Sequence, residues 1–277
     1  MEPGWGTWIL LTFLGFVASA YGSLVGVGGG FVLVPALLLL YPDEQPSLIT
    51  AIALVAATVN SISGSFVYAR QRRIDYLSVL ILGLPSIPGA VAAAYLTRIV
   101  PRGPFDRLLG AILFALAALL ILRPEPKLVK PNSSSGSIVR LMRVGTGLSY
   151  MYSYDRLLAI AIGGTTGFVA TFFGIGGATI QVPLMIQFLN FPAEIATATG
   201  MVVLLIKNPV AVLTHLVIGT FSEGVRRTTS LAAGAVIGGQ VGAWLSRRLR
   251  AIWLVRVLAV GLALAGLRLM ASGWIWS

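Results

Sequence analysis

Two long stretches of this chain are almost free of charge. From Pro3 to Ala69 the only charged side chains are Asp43 and Glu44, and from Leu157 to Ile206 the only one is Glu194. A helix needs roughly 20 apolar residues to cross a hydrocarbon core of about 30 Å, and uncharged runs of about that length follow one another closely. The alternating ten-residue strands of a membrane barrel are missing, so backbone groups must be satisfied within helices. With 57% hydrophobic residues, 10% charged residues and a mean hydropathy of +0.90, the chain cannot build a fully wetted surface. The expected fold class is therefore all-α: a polytopic membrane protein whose main solvent is lipid.

The opening Met1-Glu2-Pro3-Gly4-Trp5 lacks a basic leader region, and the apolar stretch after it runs into glycines without a cleavage site, so the first segment is expected to be retained. The absence of cysteine excludes disulfides, thiolate catalysis and cysteine-bound metal. A net charge of +11 raises the question of nucleic acid. The arginines and lysines, however, cluster in short loops between apolar runs, which the positive-inside bias of membrane proteins explains without a nucleic-acid partner.

The sequence repeats itself at an offset of 148 residues. Gly26-Val27-Gly28-Gly29 returns as Gly174-Ile175-Gly176-Gly177, Val34-Pro35 as Val182-Pro183, and Asn60 as Asn208. Gly89 pairs with Gly239 if two residues are inserted. Each half reads as five segments, at residues 8–25, 31–41, 48–69, 76–97 and 105–122, then 157–173, 178–190, 195–218, 228–246 and 251–272. The expected organisation is a first transmembrane repeat over 1–122, a flexible basic linker over 123–156 on the cytoplasmic side, and a second repeat over 157–277. Prolines 124, 126 and 131 and the run Asn132-Ser133-Ser134-Ser135-Gly136-Ser137 mark the linker. An odd number of segments inverts the second repeat relative to the first, a plan of many secondary transporters. Placing the loop of Arg70, Arg72 and Arg73 inside carries the linker and the loop of Arg247, Arg248 and Arg250 to the same side, leaving both termini outside. Arg98, Arg102 and Arg107 run against that bias.

In each half the second segment is too short to span a bilayer, and a glycine cluster precedes it. The simplest arrangement is a broken or re-entrant helical hairpin plus three transmembrane helices per repeat, with the bends facing each other, since irregular backbone at that depth must be buried in protein or line a cavity. A helix starting at Gly28-Gly29-Gly30, or at Gly176-Gly177-Ala178, points unpaired N–H groups and the positive end of its dipole at the centre, which suits an anion. The competing role is close helix packing, preferred for Gly22, Gly110, Gly238 and Gly242.

Lys207 lies near the middle of a predicted span, where a charge costs about 2.5 to 3.5 kcal/mol on insertion scales. No carboxylate is expected at that depth to pair with it, so a small anionic substrate is its natural partner; the other reading is a misplaced boundary that leaves it in a watery vestibule. Asn208 follows it, and Pro209 removes a backbone donor, so a kink is expected there. Asn60, flanked by Thr58, Ser61 and Ser63, can donate to an oxyanion or join helices to one another. Gln181 sits within a turn of the second cluster. His215, the only histidine, reads as structural. No cofactor and no metal site is expected, and the chain stands as a monomer or homodimer. The spans offer no paired carboxylates, histidine cluster or cysteine for an intramembrane enzyme.

The duplicated Gly-Val/Ile-Gly-Gly turns at Gly26 and Gly174, each with a proline nine residues on, resemble the TauE/SafE family of sulfite exporters over nearly the whole chain. That resemblance implies a multi-pass carrier of the plasma or inner membrane that moves sulfite, sulfonates or related anions, usually outward. Many members carry a Thr-Ser pair in the helix after the hairpin; here Ala51-Ile52 and Thr199-Gly200 stand nearest, so the substrate is not carried over with the family. Import or channel-like passage of a carboxylate or sulfate, and a non-transporting scaffold, remain the alternatives.

Overall fold

The computed structural model describes residues 5–122, 136–145, 148–220, 225–248 and 251–272. The first half comprises α1 (Trp5–Val25), α2 (Gly30–Leu40), α3 (Pro46–Arg70), α4 (Tyr76–Gly83), α5 (Ser86–Leu96) and α6 (Arg102–Leu122). The second comprises α7 (Arg156–Phe172), α8 (Ala178–Phe188), α9 (Ala193–Val217), α10 (Val225–Leu245) and α11 (Ala251–Ser272). Among the described residues, four helices are long and apolar enough to cross a membrane, Gly6–Val25, Pro46–Arg70, Arg102–Leu122 and Ala193–Val217; the pair α4 and α5, bent by 44°, makes a fifth if taken as one span. The multi-pass, mostly helical architecture agrees with the sequence.

The ends of these helices follow local chemistry. Pro46 opens α3, where a missing N–H costs nothing. The carboxylates of Asp75 and Asp155 cap α4 and α7 by accepting from the Ser78 and Leu158 amides. The break between α4 and α5, which the sequence reading treated as one segment, falls at Pro85, with Pro88 in the first turn of α5. Proline removes donors from the ladder, and the Ser86 hydroxyl donates to the Gly83 carbonyl at 2.5 Å instead. By contrast, α9 runs through Pro209 as one helix.

Helix packing couples the two halves throughout. The first helix α1 lies on α10, while α7 lies on α4 and α5; α3 meets α9, α6 meets α11, α2 touches α11 and α8 touches α6. Small residues permit the closest of these approaches. A Cβ on Gly234, Gly238 or Gly242 would stand 2.0 to 2.3 Å from the carbonyl oxygens of Thr12, Phe16 and Ala20, so these glycines serve contact with the α1 backbone. Gly163 and Gly167 meet the Leu82 and Ser86 carbonyls in the same way.

The reading of residues 123–156 as a flexible, water-exposed linker is corrected in its second part, and all-α becomes mostly helical. Residues 123–135, with the prolines and most of the serine run, lie outside the described residues. Strands β1 (Ser137–Arg143) and β2 (Ser149–Asp155) form an antiparallel hairpin with Ser137 opposite Asp155 and Arg143 opposite Ser149. Its tyrosines alternate, and Tyr152 and Tyr154 turn inward onto the Phe191 ring, at centroid distances of 4.5 and 5.1 Å. Asp75 anchors it: Arg140 donates to both carboxylate oxygens at 2.7 and 3.0 Å, and the Tyr152 hydroxyl donates at 2.6 Å. Burial pushes the Asp75 carboxyl upward, but donation from Arg140, Tyr152 and Ser78 outweighs it and leaves the group below its ordinary value. Tyr152 is pushed up, by burial first and by the Asp75 carboxylate second.

The basic loops gather at one end, where the Gly145 amide of the hairpin turn donates to the Gln71 carbonyl and Arg70, Arg73 and Arg247 line a common cavity. At the far end of α3, Arg102 donates to the carbonyls of Leu38, Tyr41, Pro42 and Glu44, closing the C-terminus of α2, and Arg227 pairs with Glu44 at 2.6 Å. Of the arginines that ran against the charge bias, Arg102 therefore has structural work at that end. Asp106, near the start of α6, is buried and pairs with Arg102 at 3.5 Å, so one carboxylate inside a span is held by an arginine of the same helix.

Candidate functional site

The two glycine turns are bent by residues in the left-handed region, Gly26 and Gly28 at φ 76° and 84°, Gly174 and Gly176 at 65° and 71°. Only glycine takes these angles without strain, so both chain reversals depend on them. The turns lie against each other. A Cβ on Gly30 would stand 2.5 Å from the Ile175 carbonyl carbon, and the neighbour nearest to a Cβ on Gly176 is the Val27 carbonyl oxygen, at 3.4 Å. Each turn also crosses to the other half: Gly26 packs on Thr197 of α9, and Gly174 on Thr50 of α3.

Helix α9 presents Leu204, Lys207 and Asn208 along one face, three and four residues apart. Leu204 packs on Gly28 and reaches Gly176, which fixes that face toward the turns. Lys207 then ends on the backbone of Gly177, the residue preceding α8; a Cβ there would fall 1.9 Å from its Cε and 2.0 Å from its Nζ. The absence of a side chain at 177 is what makes room for the ammonium group. Gln181 lies one turn along α8 from Gly177, on the same helix face, and its backbone N–H donates to the Gly177 carbonyl at 3.0 Å.

Lys207, Gln181 and Asn208 are each fully buried, and Nζ of the lysine and every side-chain amide atom of Gln181 and Asn208 lack a hydrogen-bond partner. Leaving such groups unpaired costs about 1 to 3 kcal/mol each, more for a charge. Asp106 and Asp75 are already held by arginines and give the lysine no relief. The ammonium thus lies at the N-terminal end of α8, one turn from the unpaired amide of Gln181, with Asn208 next to the lysine on α9; unpaired donors at a helix N-terminus are chemistry that suits a small anion.

The remaining sequence candidates are placed as follows. Gly30 stands at the contact between the turns, Gly28 meets Leu204 of α9, Gly29 packs on the Ala18 carbonyl of α1, and Ala178 meets Gly200 of α9. Asn60 sits at the contact of α1, α3 and α10: its Oδ1 accepts from Ser23 at 2.8 Å, and Gly239 packs against it. At the repeat-related positions, Thr171 and Asn208, no such bond forms; the Thr171 hydroxyl is buried without a partner too. His215 Nδ1 lies 3.3 Å from the Thr220 hydroxyl near the end of α9, in keeping with a structural role. Gly177 as the seat of Lys207, and Leu204 as the residue that orients α9, are what the sequence reading missed; both come from contacts between segments, which no local spacing displays.

A family model described as sulfite exporter TauE/SafE matches residues 11–269. The chain is 29% identical over 273 residues to the probable membrane transporter protein YunE of Bacillus subtilis (strain 168), covering 96% of this chain and 98% of that one. It is 28% identical over 267 residues to the probable membrane transporter protein YdhB of the same organism, covering 95% and 100%. A more distant relative is the archaeal probable membrane transporter protein MJ0441 of Methanocaldococcus jannaschii, 22% identical over 217 residues, with 76% and 73% covered. No solved structure matches the chain significantly.

Proposed function

The chain belongs to the sulfite exporter TauE/SafE family of membrane transporters, and on that premise we propose that it carries sulfite or a related small sulfonate outward by alternating access, with Lys207 as the countercharge. The observation that carries this reading is the buried, partnerless ammonium of Lys207 on Gly177 at the start of α8. An oxyanion entering there pairs with the lysine, accepts from the amides of Gln181 and Asn208, and feels the helix dipole of α8. The glycine turn lets it approach the backbone without a Cβ in the way.

Packing supports the inverted-repeat plan. Exchanging the halves turns the contact of α1 with α10 into that of α7 with α4 and α5, that of α2 with α11 into that of α8 with α6, and returns α3–α9 and α6–α11 to themselves. All three kinds occur, as a pseudo-twofold axis between the glycine turns requires. Rocking of the halves about that axis opens the site to either side in turn. The convergence of Arg70, Arg73, Arg247 and the hairpin at one end supports placing that end, and the linker, in the cytoplasm. Trp8 lies beside Arg226 and Arg227 at the opposite end, with Glu44, which is consistent with an N-terminus outside. A potential of 100 mV, negative inside, favours exit of a monoanion by about 2.3 kcal/mol, so uniport suffices as a driving mechanism.

Flux of labelled sulfite in proteoliposomes with an imposed potential tests the reading, with a sulfonate and sulfate as competitors. Potential-dependent sulfite flux that Lys207→Glu abolishes is expected. Wild-type protein that moves neither sulfite nor sulfonate overturns it.

A further inference from the structure

Away from the lysine, at the end where the basic loops meet, a cavity of about 550 Å³ lies between the C-terminal turns of α3, the end of α10 and the hairpin turn. The α3 side brings Val67, Arg70 and Arg73 to it, and the α10 side Val241, Trp244 and Arg247, so guanidiniums and apolar side chains line it together. Arg73 is the informative member. It is 2% exposed; its Nη2 lies 3.4 Å from Glu194, while Nε and Nη1 have no hydrogen-bond partner. A buried guanidinium with idle N–H groups is expensive, and its planar donors match two oxygens of a phosphate or sulfonate head. Against the three guanidiniums stands one carboxylate, so the cavity is positively charged overall. The setting is the border of the membrane, at the ends of α3 and α10, where a tryptophan such as Trp244 typically rests with one side in apolar surroundings.

We propose that this cavity is a second anion site, separate from Lys207, for an amphiphilic molecule whose phosphate or sulfonate head meets the arginines and whose apolar tail covers Val67, Val241 and Trp244. Its size is ordinary for a small ligand. The same head chemistry comes from two sources, an anionic phospholipid of the adjoining leaflet or a soluble alkyl sulfonate, and the site is defined by what they share.

The test uses the full chain in nanodiscs. In one arm, native mass spectrometry follows retention of phosphatidylglycerol against phosphatidylcholine. In the other, hexanesulfonate is titrated calorimetrically into protein held in phosphatidylcholine alone. At least one probe binds at one per chain, and the double variant Arg70→Gln/Arg247→Gln, altering two exposed side chains, weakens it tenfold or more. Lys207→Met leaves it unchanged, which separates this site from the transport site. Response to phosphatidylglycerol alone assigns the lipid, and response to hexanesulfonate alone the soluble anion. Wild-type protein that binds neither probe, a double variant that binds like the wild type, or loss of binding in Lys207→Met overturns the proposal.

Discussion

Replacing Lys207 by methionine moves stability and transport in opposite directions. Methionine keeps the length and flexibility of the side chain and removes its charge. In the unliganded protein Nζ has no partner and no exposure, so the charge is a liability of about 2.5 to 3.5 kcal/mol on insertion scales, and Lys207→Met relieves most of it. The melting temperature rises by roughly 5 °C or more, taking about 2 °C per kcal/mol for a chain of this size. Transport suffers in turn. An ammonium and a monoanion about 4 Å apart at an effective dielectric of 20 attract by about 4 kcal/mol, so affinity falls by up to a thousandfold. Melting curves of the purified variant without ligand give the first quantity. The second follows from sulfite flux and from ligand-induced stabilisation: sulfite at about 100 times its Kd stabilises wild-type protein by about 2.7 kcal/mol and leaves the variant where it was. A variant that melts below the wild type refutes the unpaired lysine, and one that transports normally refutes its role in binding.

Gly177→Ala places a methyl group where the Lys207 ammonium rests, and flux falls at least tenfold at unchanged expression; restored flux in Gly177→Ala would mean the lysine lies elsewhere during transport. Gln181→Leu removes an unpaired side-chain amide from the core, so thermal stability holds or rises while sulfite affinity drops about tenfold, the worth of one hydrogen bond to a charged group, as read from flux titrations. Asp75→Asn loosens the hairpin, and hydrogen exchange over residues 137–155 speeds up tenfold or more, for the loss of about 1.5 to 3 kcal/mol. Because the folded Asp75 carboxyl lies below its ordinary value of 3.8, its contribution is fully present above that value and is lost only as the pH falls through the folded one; wild-type exchange protection of the hairpin is therefore level between pH 8 and pH 5.

The helices, the two turns and the short second segments were legible because their causes are local: charge-free length, the dihedral freedom of glycine, and prolines that close a helix ladder. The offset of 148 residues is likewise a local signal, and the inverted-repeat plan proposed above rests on it. The break at Pro85 was printed in the sequence, yet Pro209 and Pro183 sit inside continuous helices. Proline alone therefore does not set a break; at the α4–α5 boundary Pro85 is followed by Pro88 within one turn. The hairpin had a readable signal in the alternating Tyr150, Tyr152 and Tyr154. A composition rich in Ser, Pro and Arg drew the reading to a linker, and the partners that fold it, Asp75 and Phe191, are far away in sequence. Lys207 was recognised by its cost, but its seat on Gly177 joins α8 and α9, and no spacing within either helix encodes that.

The two halves agree in the order of their main helices and differ in chemistry. Subtracting the offset from Lys207 and Gln181 gives Val59 and Leu33, so the first repeat has neither the ammonium nor the amide. Its asparagine is bonded to Ser23, whereas Asn208 is not bonded to anything in the unliganded chain. The backbone at the related glycines differs too: Gly29 is left-handed at φ 77° and packs on α1, while Gly177 is helical at −64° and receives the lysine. This division follows from what each property has to do. Alternating access needs two repeats that can exchange conformations, which demands matching frames. One charge suffices to bind one anion, and a second buried ammonium would add its own desolvation cost. On the proposed mechanism the binding chemistry therefore resides in the second repeat, and the first contributes the matching frame.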